Sequence, residues 1–359
     1  MRTTTRSEAL SVGLDNWASL TGAERFAAAR WAARRLHTTG EFRSLGSGVV
    51  GVGFGIRERR PEAKSGKPIY GKTPVLVVIV RRKWKNNVRA TRVRAVPARV
   101  QIRVPLANRR ILVAIPTDVC EVRQPRVHAD RHACRAKSMK SGAQSVNGSV
   151  AALVRNVDQP EGPVYLLGCQ HVIHRTLVTY NAAPDPTTEV YSHGPGADRL
   201  GMASRPAPFG PQVRSIDASL VRLHEGGFAI AGKGDFWRRI ATDYIHDEAG
   251  LEVVSTLGWK LFSRFEPTGL KYVRTLFDEP IKYGSNDVTI RIAEVVVSRS
   301  IERVPQSGDS GGAVMAGPVL VGVHIAGRGP LSYCIPAYRL FSSTAFDPKL
   351  KLASDLIQG

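Results

Sequence analysis

The residues with the clearest chemical use are S-G-D-S-G-G-A-V at 307–314. A serine hydroxyl becomes a nucleophile on a tight turn, with backbone N–H groups placed to hold the oxyanion. Glycines on both sides of Ser310 permit that turn and let a substrate backbone come close. Ser307 shares the segment, but only Ser310 has Gly-Asp before it and Gly-Gly after it. Two other groupings carry less. Cys120, His128, His132 and Cys134 match no tight zinc spacing, and a variable linker explains them better, so no metal is expected. The glycines of G-V-G-F-G (51–55) echo a phosphate-binding loop. No helix opens directly behind them and no Lys-Ser/Thr follows, so they read as strand and turn glycines, and no cofactor is expected.

The string Gly-Asp-Ser-Gly-Gly lies between a strand candidate, Ile292–Ser298, and an apolar run, Val319–Ile325. It resembles the nucleophile loop of chymotrypsin-like serine proteases. The resemblance demands a His and then an Asp upstream. In P-V-Y-L-L-G-C-Q-H-V-I-H (163–174) an apolar strand leads into His171, and in S-I-D-A-S-L-V-R-L (215–223) Asp217 precedes a short alternating strand. Separations of 46 and 93 residues along His171, Asp217 and Ser310 leave room for one barrel to finish and a second to supply the nucleophile. The resemblance then implies roles. Ser310 attacks, His171 moves the proton, Asp217 orients the imidazole, and the N–H groups of Gly308 and Ser310 form the oxyanion hole. Asp309 supports the loop. His174 rivals His171 but lies three residues further on, and Asp198 and Asp235 rival Asp217 in Gly/Pro-rich or charged surroundings.

Further fragments resemble bacterial trypsin-like peptidases related to the plant narrow-leaf protein: V-V-G-V-G-F-G (49–55), V-L-V-V-I-V-R-R-K (75–83) and I-P-T-D-V (115–119). T-L-G-W-K-L-F-S-R-F-E-P-T-G-L (256–270) resembles, in degraded form, another stretch of that group. The group shows Asn-His where this chain has Gln170–His171, and the glycine and threonine missing near Ser263–Pro267 alter the substrate-side loop.

The same resemblance places Val304, six before the nucleophile, at the base of the primary specificity pocket. With no acid there, cleavage after Arg or Lys is not expected. G-V-H-I-A-G (322–327) is similar to a segment of glutamyl endopeptidases and picornaviral proteases, which makes His324 a donor to a Glu or Gln side chain at P1, with Gly327 beside it. The alternative for His324 is a satisfied core histidine. No Ile-Val-Gly-Gly start precedes His171 closely, so control by a regulatory partner or by the N-terminal modules is expected, not zymogen cleavage.

These residues must be held by elements that the pattern suggests. Leu14, Trp17 and Leu20, then Phe26, Ala29, Ala33 and Leu36, recur near helical spacing; Thr21 with Glu24 resembles a capping box, and Gly40 ends the second helix. Helical packing within the chain is favoured over partner recruitment. Strand texture follows at 44–59, 73–84, Val93–Val96, Val100–Val104 and Ile111–Ile115. From 145, short strand candidates alternate with Gly/Pro turns, among them L-E-V-V-S-T-L-G (251–258). The fold class expected is mostly β: a chymotrypsin-like double β-barrel protease domain preceded by a small α+β module and N-terminal helices. Its parts are a helical segment (1–45), a basic α+β module (46–123), a linker (124–144), the protease domain (145–346) and a tail or short helix (347–359).

A chain of 359 residues with 43% hydrophobic and 23% charged residues can bury a full core. Its apolar runs are too short for a membrane span, and its start lacks a compact apolar stretch with a cleavage site, so the cytoplasm is the expected location. Four scattered cysteines suggest no disulfide framework. The formal charge is +21, and between Arg81 and Arg110 there are 11 Lys or Arg and no acid. Such a run could neutralise nucleic-acid phosphates or meet an acidic partner. With Trp84 standing alone, no aromatic interleaving supports base stacking, and a solvated face is the favoured reading. The expected partner is a protein or peptide substrate. One rival is a catalytically silent scaffold binding nucleic acid or protein through the basic N-terminal half, against which the intact triad weighs. The other is an esterase with the same triad, which the barrel-type strand pattern disfavours.

Overall fold

The computed structural model describes residues 6–59, 69–81, 95–106, 109–121, 125, 135–137, 148–174, 188–192, 198–210, 215–227, 241–263, 265–283 and 288–353. Trp84, His128, His132, Cys134, Asp235 and most of the linker 124–144 lie outside these residues. The chain divides into two compact units, residues 1–123 with 273–277, and residues 124–272 with 278–359.

In the first unit, helices α1 (Arg6–Ser19) and α2 (Gly22–Thr39) meet at a capping box. Thr21 Oγ1 accepts from the Glu24 amide at 3.2 Å, and the Glu24 carboxylate accepts from the Thr21 amide at 2.8 Å. Both orphan donors of the helix start are thereby satisfied. Gly40 ends α2 in the left-handed region (φ 73°). The buried face of α2, including Phe26, Ala29, Ala33 and Leu36, packs on β1 (Val49–Arg59) and β2 (Ile69–Val80). Phe26 meets Phe54 of β1 edge-on at 5.5 Å. Next come β3 (Arg99–Leu106) and β4 (Arg109–Glu121), antiparallel to each other, with β4 parallel to β2. The strand expected at Val93–Val96 does not extend to Ala95 and Val96, which are irregular. Pro97 follows them and has no amide to give a ladder.

The second unit holds two β assemblies. The first runs β18 (Leu350–Leu352), β6 (Val150–Asn156), β7 (Tyr165–Gly168), β10 (Ser219–Leu223), β9 (Arg199–Pro206), β8 (Glu189–Tyr191) and β5 (Arg135–Lys137), each antiparallel to its neighbour. Leu153, Leu166, Ile173, Leu200 and Val221 form its core. The second runs β12 (Trp259–Phe262), β15 (Ala313–Ala316), β16 (Val319–Arg328), β17 (Leu331–Pro336), β14 (Val288–Ser300) and β13 (Thr268–Tyr283). It closes on itself because β12 also pairs with β13. Closure removes the edges that an open sheet would expose. Short strand β11 (Asp243–Tyr244) lies parallel to β16. This is the mostly β organisation expected, with helices at the N-terminus.

Two expectations need correction. L-E-V-V-S-T-L-G is not a strand. Residues Glu248–Ser255 form a helix, α4, preceded by the short α3 (Gln170–Ile173) in chain order and followed by α5 (Ala337–Leu340). Asp247 caps α4 by accepting from the Gly250 amide at 2.7 Å. Leu251 and Val254 are buried while Val253 is 71% exposed, which is helical spacing and not alternation. The tail, too, starts as a strand, because Leu350–Leu352 completes the first assembly along β6. Among the described residues, no helix is long and apolar enough to cross a membrane.

Candidate active site

The nucleophile loop joins β14 to β15. Gly308 and Gly311 both lie at positive φ (95° and 91°), which throws Ser310 onto a tight turn. The turn is bonded on all sides. The Asp309 amide donates to Gln306 O at 3.0 Å and Gly312 to Asp309 O at 2.9 Å. Gly311 donates to His324 O at 2.8 Å, and His324 returns a bond to Gly312 O at 2.9 Å, so β16 fixes the far side. On the near side the Ser149 amide donates to Ser310 O at 2.7 Å, and Ser149 Oγ donates to Gly308 O at 2.8 Å. A Cβ at Gly311 would lie 1.8 Å from Ser149 O. Gly311→Ala should therefore cost about 1–2 kcal/mol from the left-handed backbone alone, before the clash is counted. Its denaturation midpoint against wild type checks this, and an unchanged midpoint would mean the turn is not built as described.

His171 sits in the first turn of α3, directly after β7, and Asp217 stands two residues before β10. Both side chains are buried. His171 Nδ1 bonds Asp217 Oδ2 at 2.6 Å, and the His171 amide donates to Oδ1 at 3.1 Å. An acceptor-only carboxylate opposite Nδ1 places the ring proton there and leaves Nε2 as the acceptor nitrogen. The loop bearing Asp217 is tied to the closed barrel. Ser215 bridges Ile292 of β14, and the Ala293 amide donates to Ser215 O at 3.0 Å. Tyr283, at the end of β13, donates from its hydroxyl to Asp217 Oδ2 at 2.9 Å.

Helix α3 and the nucleophile turn converge on one glycine. A Cβ at Gly148 would lie 2.6 Å from Val172 side-chain carbons and 2.7 Å from Ser310 O. In this structure Ser310 Oγ donates to Ile325 O at 3.2 Å, and His171 Nε2 makes no hydrogen bond among the described residues. The structure thus joins His171 to Asp217 and leaves the Ser310–His171 bond unmade. Rotation about the serine Cα–Cβ bond is the motion that would redirect Oγ, and such bonds commonly tighten only when substrate is bound.

Asp309 faces away from this chemistry. Its buried carboxylate accepts from Arg303 Nη1 at 2.6 Å and Nη2 at 3.0 Å, from Ser263 Oγ at 2.5 Å and from the Gln306 amide at 2.8 Å. Burial alone would raise its pKa. The Arg303 bonds, the nearby His324 charge, Ser263 and the Gln306 amide outweigh burial and hold it below the usual carboxylate range. The Arg303 guanidinium also stacks 5.0 Å over the Phe265 ring.

Other expected positions fall as follows. His174 Nε2 bonds Ser219 Oγ at 2.6 Å within the first assembly. Asp198 is exposed, and Ser307 is half-buried. Val304 is 54% exposed on the loop before the nucleophile. His324 is buried on β16, its Nδ1 bonded to Ser332 Oγ at 2.8 Å, and Gly327 pairs with Ser332 across the ladder. Cys120 Sγ accepts from Arg274 at 2.9 Å. Cys169, His171 and Asp217 offer ligand atoms within 4.8 Å of one another. Burial, then the Asp217 charge, pushes the Cys169 thiol well above its ordinary pKa, and the imidazole and carboxylate already bond each other. That donor set suits a proton relay better than a cation.

Sequence reasoning missed Ser149, Ser263, Tyr283 and Arg303. Arg303 had a local signal, a single base close before the nucleophile string. Tyr283 had none, because its partner is 66 residues away in sequence.

No protein-family model matches the chain, and no curated protein matches it by sequence. Among solved structures it is similar to a glutamic-acid-specific serine protease that uses a histidine triad in substrate binding, at 16% identity and a TM-score of 0.33 over 55% of this chain and 90% of that one. It is similar to a Nocardiopsis protease at 14% identity and a TM-score of 0.35, over 64% and 97% of the two chains. Thermobifida fusca protease A gives 12% identity and a TM-score of 0.36, over 61% and 95%.

Proposed function

We propose that this protein is a serine endopeptidase with His171, Asp217 and Ser310 as its triad. The observation that carries the reading is the buried His171–Asp217 pair, held at 2.6 Å, beside a glycine-built turn that presents Ser310. Ser310 Oγ attacks the scissile carbonyl carbon while His171 Nε2 takes the hydroxyl proton. The C–N bond then breaks, and the same proton passes to the leaving amine. Water repeats the sequence against the acyl ester, releasing the new carboxylate and restoring Ser310. The amides of Gly308 and Ser310 hold the oxyanion in both halves.

His324 and Gly327, with Ser332 behind the imidazole, support cleavage after Glu or Gln. His324 is backbone-bonded to the nucleophile loop, so a side chain entering beside Ser310 meets it early. The substrate is taken to be a dedicated intracellular protein in a bacterial cytoplasm. Ser310 is 0% exposed, which supports an enzyme that opens on engaging a partner.

The test is labelling of the folded chain by a fluorophosphonate probe, which should occur in wild type and vanish in Ser310→Ala. Equal labelling of both, or none of wild type, would leave the scaffold reading standing. A peptide-library profile should show acidic or amide P1 residues, and His324→Ala should flatten that preference by roughly tenfold or more. A basic or bulky aromatic P1 preference would remove His324 from the pocket.

A further inference from the structure

We infer that Tyr283 is a positioning residue of the triad: its hydroxyl, supplied from the closed barrel, fixes the Asp217 carboxylate that belongs to the other β assembly. This rests on the triad reading above.

Asp217 is buried and receives three hydrogen bonds whose donors differ in origin. The His171 amide takes Oδ1. His171 Nδ1 takes one site of Oδ2. The Tyr283 hydroxyl takes the other at 2.9 Å. Without it, a single oxygen would carry the imidazole bond alone, and the carboxylate could rock about its Cβ–Cγ bond. Tyr283 is itself buried, and its ring meets His171 edge-on at 5.7 Å and Phe209 at 5.3 Å. One side chain therefore holds the carboxylate by a hydrogen bond and the imidazole by packing. The bond also carries registration between assemblies. Asp217 precedes β10, whereas Tyr283 ends β13, and Ser215 on the same loop bridges β14. Sliding one assembly against the other breaks these contacts together.

The hydroxyl stabilises the carboxylate charge. Removing it leaves the His171 Nδ1–H as the sole donor to Oδ2, which changes the strength of that N–H bond. Other titratable groups facing the pair are few. The Cys169 thiol lies beside Asp217 and bonds His324 O. Beyond it are His324 and Asp309, the latter neutralised by Arg303. None of these donates to Asp217 in place of the tyrosine among the described residues.

Tyr283→Phe keeps the ring and deletes the bond. We expect kcat to fall about tenfold with KM unchanged. In full-length Ser310→Ala protein, the low-field proton resonance of His171 Nδ1–H should shift on adding Tyr283→Phe and vanish on adding Asp217→Asn. A lower melting temperature with unchanged kcat and resonance would overturn the inference and leave Tyr283 as packing only. Because the resonance needs no turnover, an inert wild type would sink the protease reading while the contact could still be judged.

Discussion

Asp217→Asn should lower kcat by about 10⁴-fold while the protein stays folded. The geometry dictates which way the amide turns. The Oδ1 site faces the His171 backbone amide, a donor that cannot be reversed, so the carbonyl oxygen of Asn must take it. The NH2 group then falls at the Oδ2 site, opposite His171 Nδ1 and the Tyr283 hydroxyl. Two donors cannot face each other, so Nδ1 gives up its proton and the ring shifts to the Nε2–H tautomer. That nitrogen is then unable to accept from Ser310. Steady-state kcat on a cleavable peptide, with active enzyme counted by probe labelling, measures the loss. Because the Tyr283 hydroxyl can turn to donate elsewhere or accept, the stability cost should be small by comparison, about 1–2 kcal/mol. A loss of less than tenfold would show that Asp217 does not set the tautomer, and the triad assignment would fail with it.

How much of this was legible in the sequence depends on how far each partner lies along the chain. Thr21, Glu24 and Gly40 mark the limits of α2 because a capping box and a left-handed stop act within one turn. T-P-V-L-V-V-I-V declares a buried strand by composition alone, and its residues 73–80 are the last two thirds of β2. Local reading misjudged Leu251–Ser255, where two adjacent valines mimic a strand. Asp247, four residues upstream, decides for helix by capping it. The site shows the same divide. Ser310 announced itself through its neighbours at Gly308 and Gly311, whereas His171 and Asp217 required a family resemblance to pick them out. The groups that hold the three in place, Ser149, Tyr283 and Ser263, reach across tens of residues or more to bond the turn and the acid. An isolated serine or tyrosine has no pattern to betray it.

Arg303→Met should be the more damaging change to the loop itself. Its guanidinium supplies two of the four bonds to Asp309 and the only cation in contact with that carboxylate among the described residues. Methionine fills similar volume but removes the cation paired with the buried carboxylate, a defect worth about 3–5 kcal/mol. Asp309 lies between Gly308 and Ser310, so its displacement moves both oxyanion amides, and kcat/KM should drop about 10²-fold or more. The pH dependence separates this cause from lost packing. In wild type the Asp309 pKa is depressed in the folded state, so its contribution is present above the unfolded value, about 3.9, and disappears as pH falls through the folded value. In the variant, burial dominates and the folded pKa rises. The charge then destabilises at neutral pH, and the penalty fades on acidification as the carboxyl takes up a proton. Denaturation midpoints should therefore differ most near pH 7 and converge toward pH 4. Adding Asp309→Asn to Arg303→Met should recover part of the stability at pH 7 without restoring turnover, since the neutral amide removes the stranded charge but cannot rebuild the contacts that aim the two amides. A gap between wild type and Arg303→Met that stays constant from pH 7 to pH 4 would assign the loss to packing against Phe265 and take the arginine out of the electrostatics of the loop.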